Sequence, residues 1–127
     1  MTIITLSNGK RVANFSSPHP FTFTDGSVLP AVSDDEAERL KVTFYEDVAH
    51  NGDVELTFAL SDAILEEMEI YILAQMDGLV DVVFCPLPMI TALHAKYSYK
   101  SVRGFPFRSV RIEDRIKKLV SIEKQCL

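Results

Sequence analysis

Residues 61–88 read SDAILEEMEIYILAQMDGLVDVVFCPLP, a helical pattern that gives way to a buried-strand pattern. Ser61 suits an N-cap, because its hydroxyl can accept from a first-turn amide, and Asp62 complements the positive end of the helix dipole. Leu65, Met68, Ile72 and Met76 recur at helical spacing, with Ile64 and Tyr71 widening the stripe. Gly78 suits a left-handed cap. The spacing predicts a long helix over residues 62–77. Leu79 to Phe84 follows as an apolar run broken only by Asp81, which predicts a strand covered on both faces. Pro86 and Pro88 stop it, and Pro88 suits the first position of a short second helix over residues 88–96.

Upstream of this stretch the pattern changes to short strands. Thr2 to Leu6 and Arg11 to Phe15 flank Asn8-Gly9, a dipeptide that favours a type I′ hairpin turn. Phe21 to Thr24 alternates aromatic and polar residues, Asp25-Gly26 makes a second turn, and Ser27 to Val32 returns. Pro30 within that return confines it to a sheet edge or its end. Ser33-Asp34-Asp35-Glu36 has the spacing of a capping box, which fits either one helical turn through Leu40 or an exposed acidic loop. Lys41 to Val48 and Val54 to Leu60 read as a hairpin. Downstream, Phe105 to Ile112 and Lys117 to Glu123 read as a last hairpin. The expected fold is therefore α+β: mostly antiparallel sheet of short strands and hairpins, one long helix and one short helix, in a single domain over residues 1–127.

The 127 residues carry a net charge of −5, unevenly spread. Residues 1–95 hold 4 Lys/Arg against 15 Asp/Glu, whereas residues 96–127 hold 9 against 3. An acidic body with a basic C-terminal quarter argues against duplex nucleic acid as a partner, since that footprint is a strongly basic domain. A local basic patch still suits a small anion, or an acidic surface within or between copies. No apolar run approaches the ~20 residues of a membrane span. Asn8, Gly9, Lys10 and Arg11 interrupt the first apolar residues, so no signal peptide is expected. Cys85 reads as a small buried hydrophobe and Cys126 as an exposed thiol; with no CxxC spacing, a reducing cytoplasm is expected.

Chemistry-bearing motifs are scarce. The chain has no Gly-rich phosphate loop, no HExxH, no GxSxG and no zinc spacing. His19, His50 and His94 are scattered, and no base and orienting acid are assembled around a serine. The expectation is a protein that is not an enzyme and needs no cofactor or metal. One constellation stands out. Arg103, Arg108, Arg111, Arg115, Lys117 and Lys118 are interleaved with Phe105 and Phe107. On one strand, Phe107, Ser109 and Arg111 would share a face. Arginine forks bind phosphate oxygens bidentately and an adjacent ring stacks a base, which is the vocabulary of a nucleotide ligand. The alternative is a solvated hairpin whose arginines pair with Glu113, Asp114 and the acidic body.

Two blocks carry a resemblance. Asn14-Phe15-Ser16-Ser17-Pro18-His19-Pro20-Phe21-Thr22-Phe23, with Asp25-Gly26 and Leu29-Pro30, resembles the opening of many small bacteriophage proteins. Asp81 to Pro88 and Phe107 to Lys118 are also similar to phage sequences, and the arginine spacing resembles the anti-Thoeris sponge family. That resemblance implies a homo-oligomer in the host cytoplasm that sequesters a cyclic nucleotide immune signal, of cyclic ADP-ribose or cyclic oligonucleotide type, without cleaving it. It implies Arg111, Arg115 and Lys118 as phosphate contacts and Phe107 or Phe105 as stacking residues, with Arg108 and Arg103 nearby. The competing expectation is a small phage structural or protein-interaction module that self-assembles or binds a host protein.

Overall fold

A computed structural model describes residues 1–48, 51–52, 54–96 and 106–123, with the backbone alone described for residues 44–48, 54–59 and 93–96. The elements run β1 (Ile3–Thr5), β2 (Arg11–Asn14), β3 (Phe21–Phe23), β4 (Val28–Leu29), α1 (Asp34–Arg39), β5 (Thr43–Val48), β6 (Val54–Ala59), α2 (Asp62–Met76), β7 (Val82–Phe84), α3 (Leu87–Lys96), β8 (Phe107–Arg108), β9 (Ile112–Asp114) and β10 (Leu119–Val120). The class is α+β. A central sheet has the order β1-β2-β7-β8, an outer sheet the order β4-β3-β10-β9, and β5-β6 stand as a separate pair.

Period-two alternation divides the central sheet between two cores. Ala13 and Val83, paired in register, face α2 and α3 with Phe15, Ile64, Met68, Tyr71, Met89 and Phe107. Val12 and Val82, the adjacent pair, face the outer sheet with Leu6, Phe23, Leu29, Phe84 and Val120. All three residues of β7 are buried, as the apolar run predicts. The strand is shorter than that run, because Leu79 is exposed and Asp81 is held at the surface by Arg11. The Arg11 guanidinium grips both Asp81 oxygens, at 3.1 and 3.0 Å, and also donates to the Gly78 carbonyl. This clamp fixes the turn between α2 and β7, and it holds the Asp81 carboxyl below its ordinary pKa.

The sheets are mixed. β2-β7, β7-β8 and β3-β10 are parallel, whereas β1-β2, β3-β4, β9-β10 and β5-β6 are antiparallel. Hairpin signals in sequence report only neighbours in the chain, so the parallel pairs were invisible to them. The largest difference lies at the C-terminus. Phe105 to Ile112 is not one strand: β8 pairs with β7 in the central sheet, and the chain then crosses to β9 in the outer sheet. Arg108 therefore belongs to one sheet and Arg111 leads into the other.

Local signals fared as chemistry dictates. Ser61 caps α2 by accepting from the Ile64 amide at 3.2 Å, and Gly78 takes φ +75°. Ser33 caps α1 in the same way from the Glu36 amide, so the acidic cluster is helical, but the Glu36 carboxylate turns to Arg39. Of the predicted stripe, Ile64, Met68 and Tyr71 are buried, with Ala74, and Leu65 and Ile72 are half-buried, but Met76 is 73% exposed. The face that carries Tyr71 and small Ala74 fits the sheet. The Asn8-Gly9 turn is not type I′, since only Gly9 has positive φ. Leu6 to Gly9 closes a β-turn instead, with Asn8 accepting from the Lys10 amide.

Phe23 to Gly26 repeats this device, and Asp25 joins the two turns. Its carboxylate accepts from the Ser27 amide and, across the molecule, from the Ser7 amide, both at 2.9 Å. Those amides hold the Asp25 carboxyl down to about 2. Asn14, at the end of β2, is the corresponding buried tie. Its amide donates to the Ser17 and Pro30 carbonyls and accepts from the Ser17 amide. The Tyr71 hydroxyl donates to the Asn14 carbonyl, and burial first, then Glu67, pushes that phenol up to about 12. Cys85 is buried, which raises its thiol pKa; Cys126 and His50 lie outside the described residues, as does the side chain of His94.

Two outcomes follow from these ties. Asn14→Ala leaves the half-buried Ser17 amide without its acceptor and the Pro30 carbonyl without its donor, while the Ser17 carbonyl keeps the Val32 amide, so urea unfolding should show a loss of about 1–3 kcal/mol. A loss indistinguishable from that of an exposed substitution would contradict the role of Asn14. Asp25 has a folded pKa depressed below its unfolded one, so its contribution is complete above about pH 4 and vanishes as pH falls through about 2. Asp25→Asn should therefore lose less stability than the parent chain between pH 5 and 2; parallel curves would contradict this.

Candidate functional site

The C-terminal cations sit on the hairpin β9–β10, at the edge of the outer sheet. Leu119 pairs with Asp114 and Val120 with Ile112. The turn between them is held by Asp114, whose Oδ1 accepts from the Ile116 and Lys117 amides, both at 3.0 Å. Lys118 closes the turn at φ +55°, a left-handed conformation more usual for Gly or Asn. The result is a preformed tip. Ile116 stands at its apex, 95% exposed, flanked in the turn by Arg115, Lys117 and Lys118, while Arg111 lies at the base of the hairpin, its carbonyl accepting from the Ser121 amide; all four cations are exposed.

Among the described residues these exposed cations have no ion-pair partner. Among the described residues the ion pairs are Arg11–Asp81, Arg39–Glu36 and Arg39–Glu67. None involves Arg111, Arg115, Lys117 or Lys118, and the Asp114 oxygen nearest them is engaged by backbone amides. No ion pair among the described residues joins Arg111 or Arg115 to Glu113, Asp114 or the acidic body. Arg39 is drawn to Glu36 and Glu67, which locks α1 onto α2 instead.

The predicted constellation comes apart in space. Arg111, Arg115 and Lys118 share the hairpin. Arg108 is half-buried on β8, where its Nη1 donates to the Phe107 carbonyl at 2.7 Å. Phe107 is wholly buried, edge-on to Phe15 at 5.9 Å between ring centroids. It is a core residue of the helix-side cluster and presents no face to a ligand. The shared face of Phe107 and Arg111 does not exist, because the two residues belong to different sheets. Phe105 and Arg103 lie outside the described residues. The signal that sequence reasoning missed is Phe107 itself, whose register opposite Val83 places it in the core.

Among the described residues, three clefts open elsewhere on the surface. One of about 510 Å³ lies between α1 and the start of α3, walled by Pro18, Leu40, Pro86 and Pro88. A second, about 490 Å³, lies beyond the ends of β7 and β8, lined by Phe21, Phe84, Leu87 and Val110. A third, about 310 Å³, lies beside Asn14, Glu36 and Tyr71. None of the three is lined by a hairpin cation. Among the described residues no group of three or more His, Cys, Asp or Glu is placed to hold a metal ion, and no helix is long and apolar enough to cross a membrane.

Phe107→Ala distinguishes a core ring from a ligand-stacking one. Removing a fully buried ring should cost about 3–5 kcal/mol of stability in urea unfolding. A variant as stable as the parent chain would contradict the core assignment.

Comparison of the chain with protein-family models, with curated proteins and with solved structures finds no match.

Proposed function

We propose that this protein acts by binding and not by catalysis, as a small protein-interaction module whose binding element is the tip of β9–β10. The observation that carries this reading is the tip itself: exposed Ile116 flanked by Arg115, Lys117 and Lys118, with Arg111 at the base of the same hairpin, on an otherwise acidic chain. Small-molecule sites are concave and enclose their ligand. A projecting apolar residue with charged flanks suits the converse, insertion into a partner's surface. Apolar and arginine contacts anchor protein interfaces, and surrounding charge steers the encounter. The preferred partner is an acidic surface with an apolar centre.

A second reading stays open on one observation. Arg111 and Arg115 bear planar forks on the same exposed hairpin, and such forks suit phosphate oxygens. Sequestration of a cyclic nucleotide, as the resemblance to phage sponges implies, needs walls that this hairpin does not supply. A second subunit would have to provide them.

The readings separate experimentally. An immobilised amphipathic peptide of Glu and Leu serves as the acidic probe. Arg115→Glu/Lys117→Glu should weaken its capture roughly tenfold or more, with binding that falls as salt screens the charges. Cyclic ADP-ribose isomers and cyclic di- and trinucleotides should leave Tm unchanged. A nucleotide that binds tightly would add ~2.7 kcal/mol at a hundredfold excess over Kd and raise Tm, overturning the proposal in favour of the second reading. Peptide capture insensitive to charge reversal would also overturn it.

A further inference from the structure

The long helix has a second apolar face that the core does not use. Ile70, Leu73 and Met76 are 51%, 56% and 73% exposed, and Leu79 just beyond the helix is 55% exposed. Spaced at three, they form one stripe on the side of α2 opposite buried Ile64, Met68, Tyr71 and Ala74. Exposed Glu66 and Glu69 lie one turn before Ile70 and Leu73, and exposed Asp77 one turn after Leu73. Residues 61–79 contain no Lys or Arg. Glu67, on the neighbouring side, is already paired with Arg39. The free face therefore interleaves apolar side chains with carboxylates, Glu66, Glu69 and Asp77 lying between Ile70 and Met76 around the helix.

Its complement in charge and shape is on the same chain. The β9–β10 tip offers an apolar residue beside Arg115, Lys117 and Lys118, and the α2 face offers apolar residues interleaved with carboxylates. The two cannot meet within one molecule. α2 covers one side of the central sheet and β9–β10 belongs to the outer sheet on its other side, while the free face of α2 points away from both cores. From this opposition we infer that the tip of one copy docks on the exposed face of α2 in a second copy. The contact is heterologous: each molecule uses its tip toward one neighbour and its helix face toward another, so assembly closes as a ring or extends as a filament. The inference rests on the reading of the tip as a protein-docking element and names its partner.

Mixing variants tests it. Ile116→Glu disables the tip and leaves the helix face intact; Leu73→Lys/Met76→Lys disables the face and leaves the tip intact. All three positions are exposed, and an unchanged Tm certifies the fold. Sedimentation at about 100 μM chain and low salt should show the parent chain larger than a monomer, with mass falling as salt rises. Each variant alone should be monomeric. An equimolar mixture should form a dimer and nothing larger, because one competent tip meets one competent face. Should Leu73→Lys/Met76→Lys not fold, Glu66→Lys/Glu69→Lys takes its place, paired with Lys117→Glu/Lys118→Glu, and mixing reversed faces with reversed tips should restore assembly. A monomeric parent chain, variants that still assemble alone, or a mixture that stays monomeric would each overturn the inference. A parent chain that stays monomeric yet captures the Glu/Leu peptide through its tip would overturn self-docking alone and leave the interaction-module reading standing. Loss of both would remove both.

Discussion

The structure depends on the burial of β7 from both sides. Val82 and Phe84 point to the outer sheet and Val83 points to the helices, so three consecutive residues serve two cores. A fully buried strand must have both backbone edges satisfied, since an unpaired buried amide costs as much as a lost hydrogen bond. β2 takes one edge and β8 the other, both parallel to β7. A parallel partner cannot come from a tight hairpin and needs a long crossover. From Asn14 the chain therefore runs through β3 to α2 before β7, and through α3 before β8. Burial of one strand thus dictates the order in which distant parts of the chain are joined.

The placement of the cations follows from the same constraint. β8 brings Phe107 opposite Val83, which commits its ring to the helix-side core against Phe15. The outer sheet needs β10 beside β3, where Val120 pairs with Phe23 and joins the second core. Between β8 and β10 the chain must leave one sheet and enter the other, and β9 with its turn is what remains outside. Asp114 spends its carboxylate on the Ile116 and Lys117 amides, so the turn is ordered by its own chemistry and its cations stay exposed. The ordered turn lowers the conformational cost of docking, the physical meaning of a preorganised contact.

Much of this was legible in the sequence because it is local. Capping by Ser61 and Ser33, the left-handed Gly78, the Pro30 stop at the edge strand β4 and the doubly buried 82–84 run all arise within a few residues. The hairpin β5–β6 was legible for the same reason. What was not legible is non-local. On α2 two apolar stripes overlap, and only the sheet it meets decides that Ile64 and Tyr71 go inside while Leu73 and Met76 stay out. The candidate site fell between these cases. Arg111, Arg115 and Lys118 lie on one hairpin, Arg111 at its base and the other two in its turn. Phe107 and Arg108 do not join them, because strand pairing with β7 outweighs proximity in sequence. Alternation across Phe105 to Ile112 assumed one strand, and no local signal announces the change of sheet.

The change of sheet between Arg108 and Ile112 puts Phe107 in the core and leaves the basic tip exposed. Backbone NOEs in an isotope-labelled sample report on this change. The structure predicts parallel interstrand contacts from Val83 to Ala13 on one side and to Phe107 on the other, with β9 contacting β10 alone. Continuous antiparallel contacts between residues 105–112 and 117–123, with none from Phe107 to Val83, would contradict it.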